Sequence, residues 1–246
     1  NPVVGWSEGA RPFTTGFIKR WNGSTWEMAA EPLPDLSSDP RLALNSLDEP
    51  VVLFSACTYY DHIIHNTRCG AADVYVKHWN SQSRVWEQLG NALDRTLNSY
   101  SQPGSIALDS FGQPVVSWQE DSRIYVKRWN ATEGMWVDLG EAINPNSVDT
   151  YYSTNVMILD SRGNPVIVWN EPYVVRDSSQ VYVKRWNEQS LSWESFGSVD
   201  TPLNIEVADY ATRPSLALDS SDYPVVSWYE ESRSTKKKKK IQVKRW

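Results

Sequence analysis

All thirteen tryptophans of this 246-residue chain fall inside one repeated pattern, and a chain that repeats a unit folds as an array of like units before any other option opens to it. The third copy reads SIALDSFGQPVVSWQEDSRIYVKRWNATEGMWVDLG, residues 105–140. Earlier stand LALNSLDEPVVLF (42–54) and VYVKHWNSQSRVWEQLG (74–90); later stand VMILDSRGNPVIVWNE (156–171) with VYVKRWNEQSLSWESFG (181–197), and SLALDSSDYPVVSWYE (215–230) with IQVKRW (241–246). The chain opens on NPVVGW and FIKRWNGSTW, which match the later pieces of one more copy. Each copy divides into four pieces, A (xLALD), B (PVVSW), C (VYVKRW) and D (WxxLG). Tryptophan fills B at Trp6, Trp118, Trp169 and Trp228, with Phe54 once in its place; C at Trp21, Trp79, Trp129, Trp186 and Trp246; and D at Trp26, Trp86, Trp136 and Trp193.

Successive C tryptophans are 58, 50, 57 and 60 residues apart. Each copy is four short β-rich runs separated by turn chemistry. Between A and B, DSFGQP and DSRGNP set Asp first and Gly fourth ahead of Pro, which suits a tight turn whose Gly takes φ > 0. Between C and D an Asn plays the leading part. Four antiparallel strands per unit, repeated, make the blade of a β-propeller, and no helical periodicity competes. The expectation is therefore an all-β propeller of four-stranded antiparallel blades, about five repeats, in a single domain or propeller segment over 1–246: a partial repeat 1–28, repeats 41–90, 104–140 and 155–197, and a partial repeat 214–246. Eighteen strands are expected where five full blades need twenty. A segment of a larger array is the favoured reading, and a self-contained ring with two trimmed blades is the alternative.

Charge excludes one class of partner. The net charge is −6, and setting aside the run Lys236 to Lys240 leaves 19 basic against 30 acidic residues. Nucleic-acid binding needs a basic face, so no nucleic-acid partner is expected; the lysine run reads as a solvated loop, with a polyanion contact as the alternative. No apolar stretch approaches the length of a membrane helix, and no membrane span is expected.

The repeat resembles that of large secreted bacterial β-propeller proteins whose copies run approximately SLALDSSGNPVVAW…VYVKRWNGSSWVQLG, and the likeness covers essentially the whole chain. The resemblance implies an extracellular or cell-surface protein with lectin-like binding duties, and it supplies no catalytic residue.

The A–B and C–D turns are short and formulaic, whereas the B–C and D–A connections hold nearly all the irregular sequence. Variable loops on a rigid scaffold are the usual place for binding, which points to that face. Glu8, Glu120, Glu171 and Glu230 each stand two residues after the B aromatic, so carboxylate and indole share one side of the strand. Tyr100, Tyr151 and Tyr210 occupy one equivalent place before strand A. Carboxylate beside aromatic platform is the composition of a glycan pocket, and the ligand-binding candidates are Tyr100, Glu120, Tyr151, Glu171, Tyr210 and Glu230. The competing reading is structural: Glu120 pairs with Lys127 and the tyrosines cap a blade. The tryptophans read first as packing, with a sugar-stacking surface as the alternative.

One insertion, CTYYDHIIHNTRC, carries both cysteines, Cys57 and Cys69, and two of the three histidines, His62 and His65. A disulfide is the leading reading for a secreted protein. Free thiols or a zinc site on C-x4-H-x2-H-x3-C are the alternatives. No metal or cofactor is expected. Catalysis finds no histidine triad and no nucleotide or serine-hydrolase motif; a propeller glycosidase with paired carboxylates is the residual enzymatic reading. The functional expectation is a non-catalytic extracellular binding module for a glycan or cell-surface ligand. The alternative is a structural surface or filament subunit that self-associates through open blade edges.

Overall fold

The computed structural model describes residues 1–10, 13–36, 40–63, 66–96, 99–144, 154–172, 178–196, 201–205, 210–232 and 239–246. Among them every regular element is a β-strand, and no helix is long and apolar enough to cross a membrane. Tyr151, His65 and most of the lysine run fall outside the described residues.

Among the described residues nineteen strands follow the repeat. The first copy supplies β1 (Val3–Ala10), β2 (Phe13–Trp21) and β3 (Trp26–Met28), and β4 (Leu33–Leu36) comes from the connection after it. The second is β5 (Arg41–Leu44), β6 (Pro50–Ile63), β7 (Asn66–Asn80) and β8 (Val85–Gln88). The third is β9 (Ser101–Leu108), β10 (Pro114–Glu120), β11 (Arg123–Asn130) and β12 (Met135–Asp138), and the fourth is β13 (Asn155–Leu159), β14 (Pro165–Pro172), β15 (Ser179–Asn187) and β16 (Ser192–Ser195). The fifth supplies β17 (Tyr210–Leu218), β18 (Pro224–Glu231) and β19 (Lys239–Arg245). Within a copy the order is A-B-C-D with antiparallel neighbours, as β9-β10-β11-β12 shows. The strand beyond the expected eighteen is β4, which pairs with β2 and, through Leu36 opposite Ala56, with β6.

The turns form as their residues dictate. Asp109, Asp160 and Asp219, and Asn45 in the second repeat, each accept two backbone amides through the side-chain oxygen, so the carboxylate or amide does the work of a turn carbonyl. The fourth turn position has positive φ at Gly112 and Gly163, and Asp48 and Asp222 tolerate it in the other two copies.

The C and D tryptophans meet as cross-strand pairs. Trp79 and Trp86 lie 5.4 Å apart, Trp129 and Trp136 5.2 Å, and Trp186 and Trp193 5.5 Å, each edge to face. The D indole then reaches back one repeat: Trp86 Nε1 donates to Glu31 O, Trp136 Nε1 to Leu89 O and Trp193 Nε1 to Leu139 O, at 2.7–2.8 Å. Gly90 is dictated twice over, by its positive φ of 67° and by Trp129, whose Cζ3 would stand 2.9 Å from any Cβ placed there.

The chain forms two compact units, one of residues 1–120 and 127–137, the other of residues 121–126 and 138–246. In the first, Ile18, Leu33, Leu36, Val52 and Phe54 make a buried cluster. In the second, Val166, Val168, Val181, Val183, Leu203, Ala211, Val226 and Trp228 do so. Both draw on the alternate residues of strands B and C that period-2 geometry turns to one side.

Candidate functional site

The glutamates singled out by their spacing fasten loops. Trp118 Nε1 donates to Glu120 Oε2 at 3.2 Å, while the amides of Arg95 and Thr96 donate to the same carboxylate at 2.9 and 2.7 Å. Glu230 repeats this with Trp228 Nε1 at 2.8 Å and the Ile205 amide at 3.2 Å. Glu171 takes Trp169 Nε1 and Asn144 Nδ2, and the exposed Glu8 takes Trp6 Nε1 at 2.6 Å. Glu120 and Glu230 are buried, at 2% and 4% exposure. Glu120, Glu171 and Glu230 thus each tie a B strand to the D–A connection of the repeat before it, whereas Glu8 holds only the indole of its own strand. Lys127 donates to Leu93 O and lies over the Trp118 ring, 5.3 Å from its centroid. The second repeat has no such clasp, because Phe54 and Ala56 stand where tryptophan and glutamate stand elsewhere.

A second recurring device lies alongside. After each D strand the chain runs back along strand C, the Leu93, Ile143 and Leu203 amides donating to the carbonyls of Val74, Ile124 and Val181. The next residue caps the C strand. Asn144 Oδ1 accepts the Ile124 amide and its Nδ2 donates to Ser122 O; Asn204 Oδ1 accepts the Val181 amide and its Nδ2 donates to Ser179 O. An amide suits this place because it offers an acceptor and a donor at once.

In the second repeat the residue is Asp94. Its Oδ2 accepts the Val74 amide at 2.8 Å, and its Oδ1, in the place of the amide nitrogen, is buried without a hydrogen-bond partner among the described residues. Burial pushes the carboxyl up to about 6; the negative Asp73 adds to the shift, while the Ser101 hydroxyl and the Val74 amide oppose it. Asp73 is itself a departure, since Arg123 and Gln180 hold the equivalent places. The Tyr75 hydroxyl donates to Asp73 Oδ2 at 3.4 Å, and burial, then Asp73 and Asp94, raise the phenol above its usual value so that it keeps its proton. Asp73, Tyr75 and Lys77 alternate along β7 and so share a face, half-buried. Opposite them Phe54 lies 6.0 Å from the Tyr75 ring and 5.7 Å from Lys77 Nζ. Tyr100 bridges to Ala72, beside Asp73, and is 40% exposed.

The fourth repeat builds the same corner from neutral parts. Tyr210 bridges to Ser179, Gln180 accepts from the Tyr182 hydroxyl, and Asn204 closes the cap. Of the residues expected from the sequence, Tyr100 stands at the acidic corner and Tyr210 at its neutral counterpart. Glu120, Glu171 and Glu230 lie in the clasps, and Tyr151 is outside the described residues. Asp73, Tyr75 and Asp94 were not singled out by sequence reasoning; the signal available was the departure of Asp73 and Asp94 from the residues that other repeats carry, while Tyr75 is the residue that Tyr125 and Tyr182 repeat.

Two further features mark the second repeat. Cys57 and Cys69 are joined by a disulfide across β6 and β7, with Cα atoms 5.6 Å apart. No group of acidic, histidine or cysteine side chains among the described residues could hold a metal ion. Glu49 accepts from the Ser81 hydroxyl and amide, from Asn45 and from His78, which together hold its carboxyl down at about 2, the Ser81 hydroxyl acting most.

The protein has the β-propeller fold, and its solved structural neighbours share it. An ulvan lyase, a polysaccharide lyase solved with a bound GlcA–Rha3S saccharide, aligns over 98% of this chain and 60% of its own, at 15% identity and a TM-score of 0.61. A sialidase from Streptococcus pneumoniae aligns over 93% of this chain and 34% of its own, at 10% identity and a TM-score of 0.51. An α-L-arabinanase from Penicillium chrysogenum, solved with arabinobiose, aligns over 83% of this chain and 60% of its own, at 11% identity and a TM-score of 0.50. The chain thus spans about three fifths of the lyase it matches. No family model matches the sequence, and no curated protein does.

These neighbours overturn two expectations drawn from the sequence. The non-catalytic binding module, with its structural or filament alternative, and the absence of enzymatic activity do not stand, because the solved chains of like fold are enzymes that act on glycans. The physical reason is that paired carboxylates leave no local motif, so among 30 acidic residues a catalytic pair does not stand out in the sequence.

Proposed function

We propose that the chain is part of an extracellular glycan-cleaving enzyme, a glycoside hydrolase or a polysaccharide lyase, with its chemistry at Asp73, Tyr75 and Asp94. The observation that carries this is the half-buried, ionisable Asp94, whose Oδ1 lacks a hydrogen-bond partner among the described residues where two sibling repeats hold a satisfied asparagine. A repeat array tends toward its self-consistent residue at each place, and departures that cost stability gather at functional sites. The enzymes of like fold support the same reading.

The roles follow from exposure and charge. Asp73 is half-exposed and is the carboxylate that a substrate can reach. Tyr75, held protonated, is positioned to give a proton. Asp94 lies beneath with a buried Oδ1 and sets the charge that Asp73 and Tyr75 feel, so it is a positioning residue. Glycosidic C–O cleavage uses a pair of neighbouring carboxyl groups in different roles. Tyr100 adds an exposed aromatic face beside them. A glycan ligand, an extracellular setting and the repeat type of secreted bacterial propellers belong to this proposal. So does the reading of the five repeats as one propeller or a segment of a larger one.

The test is incubation with a panel of plant and algal polysaccharides, scored for new reducing ends and for unsaturated ends, which separate lyase from hydrolase. Asp73→Asn is expected to lower turnover by about 10²–10⁴-fold with little change in melting temperature. Full activity in Asp73→Asn, or no cleavage of any glycan by the wild-type protein, would overturn the reading.

A further inference from the structure

Strands β6 and β7 run on past their blade. Their pairing continues from Ala56 opposite Asp73 to Ile63 opposite Asn66; among the described residues β14–β15 pairing reaches Pro172 opposite Ser179 and β18–β19 pairing Glu231 opposite Lys239. The Cys57–Cys69 disulfide clamps the base of this extension. A two-stranded ribbon is marginal by itself in water, and a cross-link that lowers the entropy of its open form keeps it in shape.

The extension carries an aromatic ring in water on a rigid support. Tyr59 is 56% exposed, and breaks in register on both sides of it mark a bulge, a device that re-aims a side chain. Gly70 lies beneath. A Cβ at Gly70 would stand 2.8 Å from Tyr59 Cδ1 and 2.9 Å from Asp61 Oδ2, so the ring and the carboxylate converge over bare backbone that only glycine provides. Nothing in the packing of the blade needs an exposed tyrosine at this point.

We propose that Tyr59 and Asp61 form an outlying glycan subsite on the disulfide-braced hairpin, for a neutral, hydroxyl-rich sugar unit of the chain cleaved at Asp73. This rests on the glycan-cleaving reading above. The sugar's C–H face lies on the phenol ring, as apolar surface does on an aromatic platform, and its hydroxyls donate to Asp61, a bond strengthened by the charge. The negative Asp61 disfavours uronate or sulfated units. Tyr59 pairs opposite Ala71, two residues from Asp73, or ~7 Å along the strand at ~3.3 Å per residue. That separation places the subsite beside the reacting bond and apart from it.

The test is steady-state kinetics and calorimetric binding with arabino-, xylo- and cello-oligosaccharides of increasing length, and with ulvan oligosaccharides as the acidic arm, for wild type, Tyr59→Ala, Tyr59→Phe and Asp61→Asn. Tyr59→Ala is expected to raise KM for the longer neutral oligosaccharides about tenfold, more than it lowers kcat, to leave the melting temperature in place, and to be rescued by Tyr59→Phe. Cleavage by the wild-type protein with KM unchanged in Tyr59→Ala and Asp61→Asn would overturn the subsite and spare the enzyme. Stronger dependence on Tyr59 for ulvan than for neutral oligosaccharides would overturn the neutral assignment. Absence of binding and cleavage with every probe would overturn both proposals.

Discussion

At Asn204, in the second unit, the side chain takes the Val181 amide at 2.9 Å and gives its own N–H to Ser179 O at 2.9 Å; at Asp94, in the first, the oxygen that replaces that NH₂ group has no hydrogen-bond partner among the described residues. The two corners otherwise correspond closely, with Tyr182 beside Gln180 in one and Tyr75 beside Asp73 in the other. Exchanging one nitrogen for one oxygen at position 94, with Asp73 in the place of Gln180, turns a closed, pH-indifferent cap into a half-buried acid beside a second acid. A repeat scaffold can hold such a corner because its other copies carry the stability, and the cost stays local.

The comparison can be broken most severely at the clasps, which hold the connection beside each corner, Glu120 next to Asp94 and Glu230 next to Asn204. Glu120→Ala takes the acceptor from the buried Trp118 indole N–H and from the Arg95 and Thr96 amides, and unfolding in urea should show a loss of ~3–4 kcal/mol, a buried donor left unpaired costing ~1–3 kcal/mol and a charged hydrogen bond ~1.5–3 kcal/mol. Ala56→Glu, in the repeat without a clasp, should give no matching gain, because Leu36 already pairs with Ala56 through the backbone. A smaller effect is expected on the acid side. Glu49, held at about 2 in the fold against 4.5 unfolded, contributes stability that is present above pH ~4.5 and is lost as pH falls toward 2, about 3 kcal/mol by linkage. Glu49→Gln should flatten that limb of a stability–pH curve.

Asp94 carries the opposite sign. Its folded value of about 6 lies above its ordinary 3.8, so the fold holds the proton more tightly than the unfolded chain, and stability falls as pH rises from about 4 to about 6. Asp94→Asn, which installs the residue of the sibling repeats, should therefore stabilise the protein by about 2–3 kcal/mol at pH 7. The gain should vanish below pH ~4, and turnover should fall. A destabilised Asp94→Asn protein at pH 7 would mean that the two corners are not equivalent. The smallest effect belongs to the tyrosines: Tyr100→Ala and Tyr210→Ala should each shift stability by less than ~0.5 kcal/mol, with Tyr100→Ala lowering glycan cleavage by more than Tyr210→Ala. Equal losses from the two would erase the distinction between the acidic and the neutral corner.

Much of the architecture was legible in the amino-acid sequence because its causes are local. An Asp or Asn that accepts amides two and four residues on, a fourth turn position with φ > 0, and tryptophans at the two ends of a C–D hairpin are all settled by neighbours within a few residues. The same holds for Cys57 and Cys69, brought together by the hairpin that joins them. The extra strand β4 was not legible, since Leu33 and Leu36 become a strand by pairing with residues well removed in sequence. Nor was the meaning of the glutamates: spacing put Glu120 beside Trp118, but only the fold delivered the amides of Arg95 and Thr96, about 25 residues away, to its oxygens. Asp94 illustrates the division most directly. Its identity as an acid was always readable, whereas its proton affinity depends on burial, on the Ser101 hydroxyl and the Val74 amide and on Asp73, and those are properties of the space around a side chain that only tertiary structure sets.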